Sequence, residues 1–230
     1  MNSEALLRME NVVVTGNSSG TAGPFSIEVN RGEAVCLIDD SGEGCSVVGD
    51  IASGIALPLS GTVSFEGVEW GMDGRGDFTR RARIGRVFDK YQKSWINNLS
   101  VMENITLAQR HHTSRSEADL YDAACALLAE MNVSISDVVR PEALRINDLA
   151  AATWARALLG NPSLLIVEYS DSRMVPALID LISPAVGRMI TAGCGVLWIT
   201  EGKGAFAGPL IAPARTYRYA NNVIVREVVL

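Results

Sequence analysis

Short apolar runs alternate with longer amphipathic segments through most of the chain. An apolar run at residues 34–38 ends at a polar stretch that contains glycines, and apolar residues resume over 47–56 with helical spacing. Two further runs, at 163–167 and 195–200, have the same buried-strand character. Helices are predicted beside these runs at 150–159 and 175–191. The alternation predicts an α/β fold with a parallel sheet and helices packed against it.

The remaining pattern predicts further strands around a helical middle. Strands are expected at 7–15, 25–29, 62–65 and 84–88. Helical segments are expected at 104–110, 117–131 and 136–139, and Pro141 is expected to end the last one. We interpret this middle as a helical insertion. Near the end, runs at 216–220 and 223–229 flank Asn221-Asn222, a pair suited to a tight hairpin turn.

Composition and charge restrict the possible functions. The 230 residues are 48% hydrophobic and 20% charged, which is typical of a folded globular protein. A net charge of −6 argues against nucleic-acid binding, because phosphate neutralisation needs a concentrated basic face. One short basic cluster is interpreted as a solvated rim beside a strand. Its members are Arg80, Arg81, Arg83 and Arg86.

Two local features bear on location and on metal binding. The first residues lack the apolar centre of a signal peptide, and Arg188 interrupts the longest apolar stretch, at 185–200. We therefore expect the chain to stay in the cytosol. The adjacent His111 and His112 do not share a metal-like spacing with the cysteines, and we expect them in a surface turn.

The stretch after residue 38 is an altered phosphate-binding loop. Such a loop reads G-x-x-x-x-G-K-[ST], in which backbone N–H groups and the lysine meet the phosphates and the hydroxyl holds magnesium. Here Asp39 stands at the first glycine and Cys45 at the lysine. The candidate nucleotide-contacting residues are Ser41, Gly42, Glu43, Gly44, Cys45, Ser46 and Val47.

The electrostatics of this loop oppose a triphosphate. Losing the lysine cation and adding Asp39, Asp40 and Glu43 reverses the sign of the local charge. We therefore expect ATP to bind weakly if at all, and we interpret the loop as a remnant turn kept for packing. Weak anion binding by the loop amides and the helix N-terminus is the alternative.

From residue 7 to residue 229 the chain resembles the ABC transporter ATPase family. The resemblance is carried by phrases in the family's order, at residues 30–48, 58–70, 83–90, 97–109, 154–170 and 195–201. It implies a P-loop NTPase-like ABC ATPase fold: a mainly parallel core sheet with an antiparallel β subdomain and a helical subdomain. It also implies one nucleotide-binding-like domain over 1–230, with the helical subdomain at about 90–150.

Position by position, the resemblance implies that the catalytic groups are missing. Tyr169 stands at the catalytic glutamate and Glu201 at the switch histidine, so no catalytic residue is expected. Glu168 stands at the Walker B aspartate, where it and Ser46 are the candidate magnesium ligands. Asp89 stands at the Q-loop glutamine, and residues 144–148 stand at the signature without its glycines.

The segment 90–103 is the expected docking surface for a membrane permease, because the family uses this region to receive one. Its candidate anchors are Tyr91, Trp95, Ile96 and Leu99. Packing between the sheet core and the helical middle is the alternative for these residues.

Three functions fit these observations. The first is a degenerate ABC subunit with a structural or regulatory role in a membrane transport complex and with little or no ATP hydrolysis. Its expected partners are a permease at the inner face of a membrane and a second copy or a second ATP-binding subunit. The second is a weak ATPase in which Ser46 and Glu168 share magnesium. The third is a soluble binding module that has left transport. Residues 98–107 also resemble subunits of lipid-trafficking systems.

Overall fold

The structure is a computed structural model that describes residues 5–15, 21–39, 45–71, 78–88, 94–169, 176–201, 213–220 and 223–227. The strands are β1 (Leu7–Thr15), β2 (Thr21–Val29), β3 (Ala34–Asp39), β4 (Ser60–Phe65), β5 (Val68–Glu69), β6 (Ile84–Val87), β7 (Leu164–Tyr169), β8 (Gly195–Glu201), β9 (Arg215–Ala220) and β10 (Val223–Glu227). The helices are α1 (Cys45–Ala52), α2 (Phe78–Arg81), α3 (Val101–His112), α4 (Glu117–Glu130), α5 (Ile146–Leu158) and α6 (Pro176–Thr191).

The larger sheet is mainly parallel. Its strand order is β10-β9-β3-β8-β7-β6, and β3 pairs in parallel with both β8 and β9. Every residue of β3 is buried, as expected of a central parallel strand covered on both faces. The strand β10 pairs antiparallel with β9, so the hairpin predicted at the end of the chain is confirmed.

A smaller antiparallel sheet and a group of helices complete the fold. The smaller sheet has the order β2-β1-β4-β5, and its core merges with that of α1 and one face of the larger sheet. Helices α3, α4, α5 and α6 share a second core with the other face, where the rings of Trp154 and Trp198 lie 6.2 Å apart. The predicted α/β architecture with its antiparallel and helical parts is confirmed.

Helix α3 starts three residues earlier than predicted, because a capping box fixes its first turn. The Ser100 hydroxyl accepts a hydrogen bond from the Glu103 amide at 3.2 Å. The Glu103 carboxylate in turn accepts one from the Ser100 amide at 2.7 Å. His111 and His112 are exposed, as expected, but the prediction of a turn is wrong, because both lie in the last turn of this helix.

Two other helix predictions are wrong. Residues 136–139 form no helix, and Pro141 opens a short 3-10 turn at Pro141–Ala143. Proline suits the first position of a helical turn, because its fixed φ is helical and the missing N–H has no partner there. Helix α1 ends at Ala52 and does not continue to residue 56. Gly54 follows with a φ of +67°, and the Trp70 ring fills the space that a Cβ would need.

Candidate functional site

Three parallel strands end together at one edge of the larger sheet. Asp39 at the end of β3 lies in register with Glu201 at the end of β8, and Tyr169 at the end of β7 pairs with Thr200. Asp39 is almost fully buried. Ligands of open α/β sheets bind outside the carboxyl ends of the strands. This edge is therefore the candidate site.

The altered phosphate loop leads from this edge into α1. Residues 41–44 lie outside the described part of the chain, and α1 begins at Cys45. Of Cys45 and Ser46 the structure describes the backbone, which forms the first turn of this helix. Val47 is half-buried and packs against the core between the two sheets. Cys45, which is predicted to stand at the lysine position of such a loop, is thus the first residue of α1.

Beside this helix, Arg86 of β6 forms a compact ionic cluster. Its side chain is only 7% exposed, and its Nε donates to Glu168 Oε1 at 2.8 Å. Nη2 donates to the same oxygen, and Nη1 lies 2.6 Å from Asp50 Oδ1 and 3.2 Å from Ser53 Oγ. The guanidinium carbon lies 4.4 Å from the centre of the Phe88 ring. The prediction of a solvated position for Arg86 is wrong.

The local chain geometry explains how this cluster forms. Residues two apart in an extended chain face the same side, so Phe88, which directly follows β6, lies beside Arg86. Strands β6 and β7 are neighbours, which brings Glu168 beside Arg86. Gly49 lets α1 approach, because a Cβ there would lie 3.0 Å from Arg86 Nη2 and closer still to Glu168 Oε1.

Glu168 as placed does not suit a magnesium ion. Mg²⁺ needs oxygen ligands in nearly octahedral geometry and usually retains several waters. Glu168 Oε1 accepts hydrogen bonds from two nitrogens of Arg86, and a positive charge already lies against it. Within the described ranges, no group of three or more histidines, cysteines and acidic residues is placed to hold a metal. Glu168, the candidate ligand whose side chain is described, therefore does not fit the metal that the family resemblance implies.

The other positions that are predicted to correspond to the family's catalytic residues lie at the ends of strands or at a helix start. Tyr169 is the last residue of β7 and Glu201 the last of β8, while residue 89 is outside the described ranges. At the signature position, α5 begins at Ile146, whose side chain is 53% exposed. Arg145 precedes it and donates from Nε to Asp148 Oδ2 at 2.8 Å. This start lacks the glycines that would expose backbone to a phosphate.

The expected docking residues fall into different environments. Tyr91 lies outside the described residues. Trp95 is buried, with the guanidinium carbon of Arg156 4.5 Å from its ring centre, and burial lowers the pKa of Arg156 to about 10. Trp95 therefore packs internally, as the alternative interpretation expects. Ile96 is 44% exposed and Leu99 is half-buried.

Sequence reasoning missed the residues that organise these two regions. Asn104 holds the turn at 96–100: its Oδ1 accepts from the Ile96 amide at 2.9 Å, and its Nδ2 donates to the Ile96 carbonyl at 3.0 Å. Arg156 holds Ser94 in place: its Nη1 donates to the Ser94 carbonyl and its Nη2 to the Ser94 hydroxyl, each at 2.8 Å. For Arg86 a signal was present, because a single arginine interrupts a short apolar strand between Gly85 and Val87.

These elements together define a class of protein. In the mainly parallel sheet, a central strand leads through a glycine-containing segment into a helix. An antiparallel sheet and a helical region are joined to this sheet. This combination is the ATP-binding cassette architecture. The family model for ABC transporters matches residues 23–168. The chain belongs to the ABC transporter family.

Among known proteins, the chain is similar to ATP-binding subunits of several transport systems. It is 26% identical over 180 residues to the glutamate/aspartate import ATP-binding protein GltL of Escherichia coli (strain K12), covering 78% of this chain and 73% of that protein. It is also 26% identical over 173 residues to the lipoprotein-releasing system ATP-binding protein LolD of Anaplasma marginale, covering 73% and 75%.

Solved structures agree with this fold. An ATP-binding subunit of an ABC transporter superposes with a TM-score of 0.82 at 20% identity, covering 97% of this chain and 90% of that one. The dimeric bacterial cassette MJ0796 superposes with a TM-score of 0.80 at 18% identity, covering 95% and 96%. Within the residues that the structure describes, no helix has the length and apolarity needed to cross a membrane.

Proposed function

We propose that this chain is a degenerate ATP-binding subunit with a structural or regulatory role in a membrane transport complex and little or no ATP hydrolysis. The observation that carries the proposal is at the end of β7. The last residue of this strand is Tyr169, which stands at the position of the family's catalytic glutamate. A tyrosine at neutral pH is not a carboxylate base and cannot accept the proton of an attacking water.

The start of α1 supports the same conclusion. Its first residue is Cys45, where a lysine would meet the β and γ phosphates. Removing one preorganised charged or hydrogen-bonding group from an active site typically lowers the rate by about 10²–10³-fold. Losing both the cation and the base leaves little turnover, even when the two losses are not additive.

The proposed partner is a membrane permease that docks on the turn at 96–100. Ile96 provides an exposed apolar side chain there, and Leu99 a half-buried one. A cavity of about 280 Å³ adjoins this turn and reaches Ile146 at the start of α5, with Asn97 and Leu144 among its lining residues. Apolar side chains around a concavity suit the anchors of a protein interface. The complex would hold the chain at the inner face of the membrane, beside a second copy or another ATP-binding subunit.

Hydrolysis by the purified protein tests the catalytic half of the proposal. We expect phosphate release from Mg-ATP at the level of a Ser46→Phe variant, which blocks the loop and so measures contamination. Turnover well above that variant, abolished by the substitution, would show that the chain is an active ATPase.

Capture of the native complex tests the partner half. We expect a tagged chain to co-purify with an integral membrane permease, and Ile96→Asp to release it, because a carboxylate would be buried in the interface. Val225→Asp is the matched control, since Val225 is 54% exposed on β10, an edge strand of the larger sheet, and is not part of the turn at 96–100. Loss of the permease from both variants alike, or recovery of the chain with no membrane protein, argues against this docking surface.

A further inference from the structure

Arg86 connects three elements that surround the candidate site. It lies on β6, both of its bonds to Glu168 reach β7, its contact with Asp50 reaches α1, and its contact with Ser53 reaches the residue that follows this helix. Glu168 is 8% exposed, whereas Asp50 is 42% exposed. A buried carboxylate needs a paired cation, and here the chain itself supplies one.

We infer that Arg86 is the resident cation of this site: it occupies the carboxylate of Glu168 in place of a divalent metal and ties α1 to the sheet. The inference rests on the proposed function, because it explains how the metal-binding half of an ATPase site is lost. It adds that Glu168 binds no metal and that the position of α1 relative to β7 does not depend on bound nucleotide.

The geometry of the guanidinium favours it over a free ion. Arginine stays charged at all relevant pH values and presents its N–H donors in a fixed fork that matches carboxylates. Three of its nitrogens are used here, toward Glu168, Asp50 and Ser53. A tethered cation needs no binding from solution, so a metal has to displace these bonds before it can coordinate Glu168 Oε1.

On the side that faces α1, packing leaves little space beside the pair for a hydrated ion. A methyl group added at Gly49 would already overlap Glu168 Oε1 and press on Arg86 Nη2. A magnesium ion with its waters is larger than a methyl group. Because α1 packs directly on the Arg86–Glu168 pair, the pair also holds α1 against the sheet.

Manganese binding followed by electron paramagnetic resonance tests this inference, with Mn²⁺ itself as the probe. We expect the wild type and Glu168→Gln to bind Mn²⁺ equally, through exposed carboxylates alone. We expect Arg86→Gln to bind it about tenfold more tightly, because Glu168 and Asp50 are then available as oxygen ligands. The double variant Arg86→Gln/Glu168→Gln should lose that gain.

A matched control is Arg188→Gln. Arg188 pairs with the carboxylate of Glu130, with Nη2 2.6 Å from Oε2, so this substitution frees one carboxylate where Arg86→Gln frees two. This variant should bind Mn²⁺ like the wild type. An equal gain in both arginine variants, or no gain in a folded Arg86→Gln, overturns the inference.

Two comparisons keep the result decisive. If Arg86→Gln does not fold, the comparison of Mn²⁺ binding by the wild type and by Glu168→Gln still decides, because tighter binding by the wild type contradicts a resident arginine.

The two proposals also fail separately. Metal bound at Glu168 without ATP turnover removes the inference and leaves the proposed function. Absence of a permease partner together with no metal at Glu168 removes the proposed function and leaves the inference.

Discussion

At the scale of single residues, Gly49 shows how closely α1 packs on the ionic cluster. Alanine in a helix is favoured over glycine by about 1 kcal/mol, which alone would raise stability. The added methyl group, however, meets Glu168 Oε1, and that oxygen cannot move without breaking its bonds to Arg86. Overpacking of this kind costs about 1–3 kcal/mol, so the steric effect should win.

We therefore expect Gly49→Ala to lower the free energy of unfolding by about 1 kcal/mol in urea titrations. Gly187 in α6 is the matched control, since no atom lies within 4 Å of its hypothetical Cβ. Gly187→Ala should raise the free energy by about 0.5–1 kcal/mol. Equal stabilisation by both substitutions would mean that the Glu168–Arg86 pair shifts at little energetic cost to make room for the methyl group.

A second residue-scale prediction concerns the response of Glu33 to pH. Burial tends to raise the pKa of this carboxyl, but hydrogen bonds from Arg215 and from the Asn30 amide outweigh it and hold the pKa below its ordinary value of 4.5. A carboxyl whose pKa is lower in the folded state stabilises the fold above the unfolded pKa. That contribution is lost as pH falls through the folded value.

Glu33→Gln should therefore lower stability at pH 7 and have a smaller effect in acid, below the ordinary pKa of 4.5. Chemical unfolding of both proteins over this pH range measures the effect. A difference that stays constant with pH would show that the substitution acts through packing and not through the charge.

At the scale of elements, Asn104 couples α3 to the turn that precedes it. Its side chain is buried and bonds to both the amide and the carbonyl of Ile96. Removing it takes the Oδ1 acceptor from the part-buried Ile96 amide, at a cost of about 1 kcal/mol. We expect Asn104→Ala to lose this stability and to lose hydrogen-exchange protection at the Ile96 amide.

Thr106→Ala provides the control within the same helix. Thr106 is also buried, but its hydroxyl bonds to carbonyls of α3 itself, at Met102 and Glu103. This variant should keep the protection at Ile96. If both variants expose Ile96 alike, general loosening of α3 explains the result and the specific role of Asn104 is wrong.

The element scale also shows where sequence patterns were sufficient. Strands β3 and β7 were predicted closely, because continuous apolar runs are read from adjacent residues. The start of α3 was misplaced because its cap depends on two reciprocal bonds between Ser100 and Glu103. The motif is visible in the sequence as Ser-Val-Met-Glu, so attention to capping would have corrected it.

At the scale of the whole molecule, the expected outcome is a fold that nucleotide does not stabilise. A ligand at about 100 times its dissociation constant stabilises a protein by about 2.7 kcal/mol. For a chain of this length, that corresponds to a rise in melting temperature of about 5–10 °C. We expect about 1 mM Mg-ATP to shift the melting temperature of the wild type by less than about 1 °C.

A Cys45→Lys variant restores the missing cation at the start of α1 and serves as the comparison. It should show a larger shift than the wild type, because the lysine offsets part of the negative charge of the loop. A shift of several degrees in the wild type itself would contradict the electrostatic argument against nucleotide binding.

The sequence by itself determined the architecture and the residue types from which the loss of catalytic groups is predicted, because strand runs, glycine positions and the residue at each position are local properties of the chain. Only the tertiary structure decided which charges and rings meet. Arg86 reaches Glu168 across 82 residues, and Arg156 reaches Ser94 across 62. Such contacts depend on strand order and on how closely helices pack. The hydrophobic periods of two residues in strands and 3.6 residues in helices carry no information about either. For the same reason Trp95 is interior and Ile96 exposed, although the two are adjacent and both apolar.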